Sequence, residues 1–475
     1  MIDKLKKDTN NANDIIYKQI SINNQNITVI YSEVLASGDD ISKIILKNIS
    51  YITESNLLEN DNNLFNYLYN NIPGHNRTQI KDYNDLLSKI FNGYTIIYIS
   101  DDEVFALETK AKLDRGINTI NSELSVRGPK DSFTENFNKN LGLIRKRIKN
   151  ESLWIDDLTI GKQTKTKVGI CYMQNIVEDD LIKKVIAKLE NINIDGIIDS
   201  GYLKRYLVNK NSIFPTIITT ERPDVVCMAL LEGKCCIIVD NSPYVLIIPC
   251  FFIDLFHTPD DYYQKNINIS FIRIIRLLAF LISIFIPAYY IAITTHNHDS
   301  VTTDLLLNFL AQRQSVPFPA LVEGIIMTVS FEILRESDMR MASTMGTAVS
   351  ILGGLVLGDA AVQAGIISPI MIIVVAISAI SGLVFTSIEL TSAIRFWRIF
   401  LMILAASLGI YGIYLGLILL ITKLASITSF GKPYLAPFSP FIKSEQMDAF
   451  LKVNSNNKIK RRNPLLTTKN RIRGR

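Results

Sequence analysis

Between about residues 271 and 424 the sequence contains several apolar segments that are long enough to cross a lipid bilayer. The clearest is IIRLLAFLISIFIPAYYIAI, at residues 274–293, which matches the about 20 residues needed to span a hydrocarbon core about 30 Å thick. The residues before it are charged, rich in asparagine and mixed in pattern. We therefore predict a membrane protein that carries a large domain outside the bilayer.

The overall charge does not indicate a nucleic-acid-binding protein. The net charge is +5 and charged residues make up 20% of the 475 residues, so no general affinity for polyanions follows. We therefore expect no nucleic-acid partner. The start of the chain, MIDKLKKDTNNAND, is polar, so no cleavable signal peptide is expected. The positive charge is concentrated in the tail, at Lys458, Lys460, Arg461, Arg462, Lys469, Arg471, Arg473 and Arg475.

The sequence indicates no catalytic, cofactor or metal site. It contains no P-loop, dinucleotide fingerprint, HExxH or GxSxG motif. The five cysteines form no CxxC pair, and Cys235 and Cys236 would point to opposite faces of a strand, so we interpret all five as buried and reduced. His296 and His298 have no evident third ligand, which favours a solvated loop. We expect neither an enzyme nor a bound cofactor or metal.

Two stretches of the soluble region share one pattern, 140 positions apart. Residues 85–108 and 225–249 each read as an amphipathic helix, a glycine, an apolar strand, a polar turn and a second strand, with Gly93 and Gly233 in equivalent places. The same offset relates the strands ITVIYS (27–32) and KVGICY (167–172). We therefore predict a duplicated α/β domain in which helices cover the strands of each copy.

These patterns divide the chain into six regions. The basic run RKRIK, at residues 145–149, is interpreted as a solvated helix face or as a source of inter-subunit salt bridges, because no aromatic residues alternate with it. The predicted regions are a disordered N-terminus (1–19), a first α/β subdomain (20–110), a helical linker (111–158), a second α/β subdomain (159–262), an α-helical transmembrane domain (263–430) and a basic cytoplasmic tail (431–475).

The transmembrane domain is predicted to contain four spans and one further helix. Arg273 and Arg276 lie at the start of the first span and the basic tail follows the last, so the positive-inside rule places the soluble domain and both termini in the cytoplasm. Residues 317–337 carry Glu323 and Glu332 on opposite sides of a helix, so they form no clean polar stripe. A fifth span would place the basic tail outside, so we expect an amphipathic helix at the membrane surface or a re-entrant one. The predicted spans are residues 274–293, 345–364, 367–386 and 396–424.

The second span, MGTAVSILGGLVLGDAAVQA, combines two stripes. The first stripe consists of small residues that allow close packing against another helix. The second is an apolar row that contains one carboxylate, which predicts either a pore lining with apolar constrictions or an acid that caps a helix break beside Gly358. The small residues are Ser350, Gly354, Gly358, Ala361 and Gly365, and the second row contains Leu355, Asp359 and Val362.

Five sequence blocks together resemble the A subunit of the GerA family of spore germinant receptors. They run in family order from the soluble linker through the third predicted span, over most of the chain. The blocks are SVRGPKDSFTENFNKNLGLIRKRI (125–148), TERPD (220–224), ALLEGKCCIIVDNSPYVLIIP (229–249), PFPALVEGIIMTVSFEILRES (317–337) and GTAVSILGGLVLGDAAVQAGIISP (346–369).

The resemblance implies a specific function. Such A subunits are expected in the spore inner membrane, together with a transporter-like B subunit that holds the nutrient and a lipoprotein C subunit. The resemblance further implies a homo-oligomer, a pentamer, that forms a nutrient-gated monovalent-cation channel and triggers germination. A secondary transporter would need more spans and inverted repeats. A membrane-anchored scaffold, or a receptor-like paralogue without its own pore, is the alternative that stays open.

Overall fold

The N-terminal half folds as two consecutive repeats, each built around a five-stranded antiparallel sheet. The computed structural model describes residues 1–22, 25–49, 64–73, 76–111, 123, 128–208, 212–263, 266–340, 354, 358–443, 446, 449 and 465–466. Repeat 1 contains α1 (Ile2–Asp8), β1 (Ile15–Ile22), β2 (Gln25–Ser32), a helical segment (Gly38–Asp40, continued by a π-helix, Ile41–Leu46), α2 (Leu64–Asn71), β3 (Arg77–Gln79), α3 (Tyr83–Ile90), β4 (Tyr94–Ser100) and β5 (Glu103–Glu108). Repeat 2 contains α4 (Phe137–Arg147), β6 (Leu153–Ile160), β7 (Thr166–Met173), α5 (Asp179–Glu190), α6 (Ser200–Leu207), β8 (Ile218–Thr220), α7 (Pro223–Leu231), β9 (Cys235–Val239) and β10 (Val245–Ile248).

The two sheets have the same topology. Their strand orders are β1-β2-β4-β5-β3 and β6-β7-β9-β10-β8, and the hairpins β4–β5 and β9–β10 occupy equivalent places. Gly93 and Gly233, which precede these hairpins, have φ values of 81° and 94°, a conformation that favours glycine. The predicted duplication is confirmed at the level of strand order.

Each repeat begins earlier in the chain than the sequence analysis predicted. Residues 1–19 were expected to be disordered, yet they contain α1 and the start of the edge strand β1. The expected linker likewise contains α4 and most of β6, which occupy the same positions in repeat 2. The reason is burial, because Leu5 and Ile15 pack in one core of repeat 1, and Leu141 and Leu153 pack in one core of repeat 2.

Helices cover both faces of each sheet, so alternate strand residues enter different cores. In repeat 2, Cys235 packs in the core beneath α5 and α6, whereas Cys236 packs in the core beneath α4 and α7. This confirms the predicted opposite orientation of the two side chains. All five cysteines are free and buried.

A buried ion pair joins the two repeats. Arg145 of α4 contacts Asp14 at 2.9 Å, and the two side chains are 0% and 1% exposed. Arg145 was expected on a solvated helix face, but its guanidinium group instead lies between the repeats and over the ring of Phe91. Such a pair costs desolvation, but the two fork-like hydrogen bonds give it one orientation.

The C-terminal half is a helical bundle that follows repeat 2 in the chain after a short connection. Two 3₁₀ turns (Phe252–Phe256 and Pro259–Tyr262) lead into it. Its described helices are α8 (Asn266–Thr295), α9 (Thr303–Arg313), α10 (Ala320–Arg340), α11 (Pro369–Gly382), α12 (Ile388–Leu408) and α13 (Ile410–Ser426), and a small hairpin of β11 (Thr428–Ser429) and β12 (Lys432–Pro433) follows. We call the end of the bundle beside repeat 2 proximal and the end beside His296 distal.

The four predicted spans have different outcomes. Within the described residues one helix, Asn268–Thr295, is long and apolar enough to cross a membrane, in agreement with the first predicted span. Most of the second span, residues 345–353 and 355–357, lies outside the described residues. The third corresponds to α11, which has 14 residues and counts as a shorter apolar helix.

The fourth predicted span is not one helix. The chain reverses at Gly409, whose φ is 61°, and α12 and α13 form an antiparallel hairpin. A Cβ on Gly412 would lie 2.1 Å from the carbonyl oxygen of Leu404, and one on Gly416 would lie 2.1 Å from Leu401 Cδ2. The residues on both sides of the turn are largely apolar, so hydropathy alone joined the two helices into one predicted span.

One face of helix α10 packs against the bundle, and residues such as Ile333 on its other side are exposed. A Cβ on Gly324 would lie 2.8 Å from Met402 of α12 and 3.5 Å from Ile291 of α8. The sequence predicts an amphipathic helix at the membrane surface or a re-entrant helix here, because its acids form no clean polar stripe. Both acids of α10 have partners in the bundle, as described below.

The chain after the bundle returns to repeat 2. Ser429 Oγ donates a hydrogen bond to the carbonyl oxygen of Thr216 at 2.7 Å. The backbone N–H of Phe252 donates one to the carbonyl oxygen of Tyr434 at 2.9 Å. Tyr434 and Leu466 are buried, at 0% and 1% exposure. The region expected to be only a basic tail therefore contributes apolar contacts, and Lys432 pairs with Glu178 of repeat 2. The basic residues from Lys458 onwards lie outside the described part of the chain.

A buried carboxylate links the segment before α4 to the TERPD motif. Glu123 accepts a hydrogen bond from Thr220 Oγ1, and the backbone carbonyl oxygen of Glu123 accepts one from Arg222 at 3.3 Å. Burial is the main cause that raises the pKa of Glu123 to about 7, and the nearby charge of Glu221 adds to it. The folded chain therefore holds a proton on Glu123 at pH values where an unfolded chain releases it.

We expect Glu123→Gln to remove a pH-dependent part of the stability. The folded pKa of about 7 lies above the ordinary value of 4.5, so the stabilisation is present below about pH 4.5 and is lost as the pH rises through 7. Thermal unfolding at several pH values should show the variant gaining relative to the unaltered chain as pH rises. Glu190→Gln, on the exposed end of α5, is the control. Parallel pH profiles for all three chains would contradict the assignment.

Candidate functional site in the helical bundle

The described part of the second predicted span begins at Gly354 and resumes at Gly358. Ser350 and Leu355 lie outside the described residues, whereas Gly354 and residues 358–363 are helical. This short helix leads through Gly365, whose φ is 62°, into the N-terminus of α11 at the distal end. The site is therefore built from this helix and the residues that support it.

The stripe of small residues divides into two parts. Ala361 packs against the core of the bundle, and a Cβ on Gly365 would lie 3.2 Å from the carbonyl oxygen of Ser315. In contrast, a Cβ on Gly354 or Gly358 would meet no described atom within 4 Å. One end of the stripe thus contacts the bundle, and the other end is open in the single chain.

Asp359 and Val362 lie on this same helix with different exposure. Asp359 is exposed and makes no hydrogen bond or ion pair with the described residues, and Val362 is half-buried. An exposed carboxylate within a largely apolar segment requires water or protein around it if the segment lies in a membrane.

Glu323 connects the helices that are next to this short helix in the structure. Its side chain is 0% exposed, and its carboxylate accepts hydrogen bonds from the backbone N–H and the hydroxyl group of Ser368, at 2.9 and 2.8 Å. Arg313 Nε lies 3.3 Å away. The acid therefore holds α9, α10 and the start of α11 together. The start of α11 follows closely after the segment Gly358–Gly365 in the chain. A carboxylate near a helix N-terminus is also favoured by the helix dipole.

Glu332 organises a second set of charges nearer the proximal end. Its carboxylate contacts Arg335 at 2.9 Å, Arg395 at 3.1 Å and Arg398 at 3.3 Å. Arg398 also donates to Ser378 Oγ, which in turn donates to the carbonyl oxygen of Ser283. Thus Glu323 and Glu332, which were predicted at a membrane surface, both face partners within the bundle. Arg335 lies on α10 itself, three residues after Glu332, but the other partners lie on other helices, so the spacing along α10 could not reveal those.

Ionic contacts fix the proximal end of the bundle to repeat 2. Asp261 contacts Arg276 at 2.8 Å and Arg273 at 3.2 Å, and Lys204 of α6 pairs with Glu389 of α12. Burial alone would raise the pKa of Asp261, but the hydrogen bonds and charges of the two arginines outweigh it and hold that pKa below its usual value. Arg273 and Arg276, predicted as topology signals, are thus also buried structural contacts.

The chain matches the family model described as Bacillus/Clostridium GerA spore germination protein over residues 3–464. The chain belongs to the GerA family. It is 37% identical to spore germination protein KA of Bacillus subtilis (strain 168) over 95% of this chain and 84% of that protein. It is 32% identical to spore germination protein GerQA of Bacillus cereus, over 93% and 88% of the two chains.

A crystal structure of the N-terminal domain of the A subunit of the Bacillus megaterium spore germinant receptor GerK3 is also similar. That domain is 30% identical in sequence, with a TM-score of 0.41, over 53% of this chain and 94% of that one. The family predicted from the five sequence blocks is confirmed.

Several supporting residues of this GerA-family chain were missed by sequence reasoning. Arg313, Arg398 and Ser368 meet the two acids of α10, but they come from three other helices or their caps. The available signal was the presence of Arg398 inside a predicted span, where an ionisable side chain is costly without a partner. Within the described residues, no group of three or more His, Cys, Asp or Glu is arranged to hold a metal ion.

We expect Glu323→Gln to destabilise the bundle by about 1–3 kcal/mol, the usual contribution of hydrogen bonds to a charged group. Glu336→Gln is the matched control, because Glu336 lies on the same helix and forms only an exposed pair with Arg340. Thermal unfolding of the full chain in a neutral detergent measures both. Equal loss of stability in the two variants would show that Glu323 is not an anchor.

Proposed function

We propose that this chain is the A subunit of a germinant receptor in the spore inner membrane, and that copies of it assemble into a nutrient-gated channel for monovalent cations. The observation that carries the receptor assignment is the GerA family match over residues 3–464. Spore germination A1 and B1 proteins of Bacillus subtilis, 36% and 35% identical, are among its relatives. The partners are a transporter-like B subunit that holds the nutrient and a lipoprotein C subunit.

The open part of the small-residue stripe supports assembly of several copies. Gly354 and Gly358 leave room for a close helix contact, and Asp359 beside them is exposed in the single chain. A ring of subunits would cover the glycines and surround the carboxylate with water, which satisfies both requirements at once. Five subunits are proposed from the family resemblance. Leu355, Asp359 and Val362 are the proposed pore-lining residues.

The directions of the helices support a placement of both termini on the cytoplasmic side. Helices α8 and α12 run away from repeat 2, and their distal ends meet where His296 Nε2 lies 2.7 Å from the carbonyl oxygen of Ala406. Helices α10, α11 and α13 run back towards it. The last of these helices, α13, therefore ends on the side of repeat 2, where Ser429 contacts Thr216. Both the soluble domain and the tail then lie in the spore core, and the bundle contacts membrane lipid.

We expect Val362→Ala to leak cations without nutrient, because a smaller side chain widens an apolar constriction that excludes water. Asp359→Asn should lower cation selectivity, because it removes a charge from the proposed path. Ion flux in liposomes, with and without the B and C subunits, measures both. The control is Ala364→Val, at the exposed position directly after the same helix. If neither substitution changes the conductance, this helix does not line the pore. If the chain shows no conductance with all partners present, a scaffold role is favoured.

We expect a cysteine introduced near Arg471 to resist an impermeant thiol reagent in intact cells that express the protein. The five native cysteines are buried, so the introduced one would dominate the labelling. A cysteine at Thr302, before α9 at the distal end, should label readily. Rapid labelling near Arg471 would mean an odd number of passes.

A further inference from the structure

Three arginines from two helices converge on one carboxylate at the proximal half of the bundle. Arg335 of α10 and Arg395 and Arg398 of α12 all contact Glu332, at 2.9, 3.1 and 3.3 Å. The Arg398 side chain is only 4% exposed. In each of the three, the Nε atom is buried and has no hydrogen-bond partner within the described part of the chain. The cluster therefore has unused donors as well as unbalanced charge.

The charge of this cluster is not neutralised within its surroundings. Three guanidinium groups and one carboxylate leave two positive charges. The hydroxyl groups of Ser378 and Ser392, which are uncharged, accept hydrogen bonds from Arg398 and Arg395 at 3.2 and 2.7 Å. The neighbouring segment 341–357 carries no ionisable side chain at all. Unpaired buried charge is costly, so an anion from outside the cluster would stabilise it.

The cluster lines a cleft with an apolar border. Ser283, Phe331 and Gly382 complete the walls of this shallow cleft beside the charged groups. Leu383 lines the cleft and is 58% exposed, and the neighbouring Ile388 is 70% exposed. Guanidinium groups beside exposed apolar side chains suit a ligand that combines an anionic head with a hydrocarbon chain.

We propose that this cleft binds a phosphate-bearing anion, and that the source of the phosphate is the headgroup of an anionic phospholipid. Arginine presents planar, paired N–H donors that match phosphate oxygens. The site rests on the proposed placement of the bundle in a membrane. On that placement, the cluster lies in the cytoplasmic half of the bundle, and basic pockets between helices on that side are suited to phosphate headgroups. Glu332 acts as a positioning residue that holds the three arginines together.

Fluorescence quenching by brominated lipid tests the site in the unaltered full chain. The protein has two tryptophans, Trp397 next to Arg398 and Trp154 on β6 of repeat 2. It is reconstituted into phosphatidylcholine nanodiscs that contain a small fraction of either brominated phosphatidylglycerol or brominated phosphatidylcholine. We expect stronger quenching by the brominated phosphatidylglycerol, because it accumulates beside Trp397, and we expect the excess to fall as salt is raised.

Variants then assign the preference to the cleft. Arg398→Gln should weaken the relative affinity for phosphatidylglycerol about fivefold, the effect of one arginine near an anionic headgroup. Arg340→Gln, on an exposed arginine of the same helix as Arg335, should leave the excess unchanged. Arg395→Gln, at a more exposed position, supplies a second variant if Arg398→Gln does not fold.

The remaining outcomes are distinct. Equal quenching by the two lipids overturns the anion site but leaves the membrane placement, whereas no quenching by either lipid overturns both. A separate arm adds potassium phosphate, against potassium chloride of equal ionic strength, to the chain in neutral detergent. A rise in unfolding temperature that Arg398→Gln abolishes, without any lipid preference, would assign the phosphate to a soluble source instead of a headgroup.

Discussion

The contact of Asp261 with Arg273 and Arg276 is the point on which the two halves of the molecule depend. Both arginines lie in the first turns of α8, the longest helix, and the carboxylate lies in the 3₁₀ turn that leaves repeat 2. Arg276 also donates to the carbonyl oxygen of Phe256 and to Thr258. Breaking such a buried cluster would leave uncompensated charge, so a movement of repeat 2 must carry the base of α8 with it.

Two further connections close the same junction from other directions. Lys204 of repeat 2 pairs with Glu389 at the start of α12, and the chain that follows α13 returns to repeat 2 at Ser429 and Tyr434. The aromatic rings of Phe252, Phe256, Phe280 and Phe385 fill the space between these connections. Repeat 2 and the 3₁₀ turns that follow it therefore contact the beginning of α8, the beginning of α12 and the chain that follows α13. In a receptor complex, this is the route by which the soluble region and the bundle would influence each other.

Much of the soluble fold could be predicted from local sequence patterns, and the features that could not be predicted have physical causes. The pattern around Gly93 and Gly233 repeats because each glycine must adopt a positive φ between a helix and a strand. Helix α1 was missed and α4 was assigned to a linker instead of to repeat 2, because burial of Leu5 and Leu141 depends on contacts with distant strands. The role of Arg145 was misjudged for the same reason, since its partner Asp14 lies 131 positions away.

In the bundle, the sequence by itself determined the family, the apolar character of the region and the first membrane-length helix, because these depend on composition and on short blocks of residues. Only the tertiary structure decided that the last apolar stretch turns back at Gly409 and that one face of α10 packs against α8 and α12. Hydropathy measures how apolar a segment is but does not show where the chain reverses. The reversal into a hairpin depends on close backbone approach at Gly412 and Gly416. The partners of Glu323 and Glu332 were likewise decided in three dimensions, because a buried charge is tolerated only where other helices bring opposite charges to it.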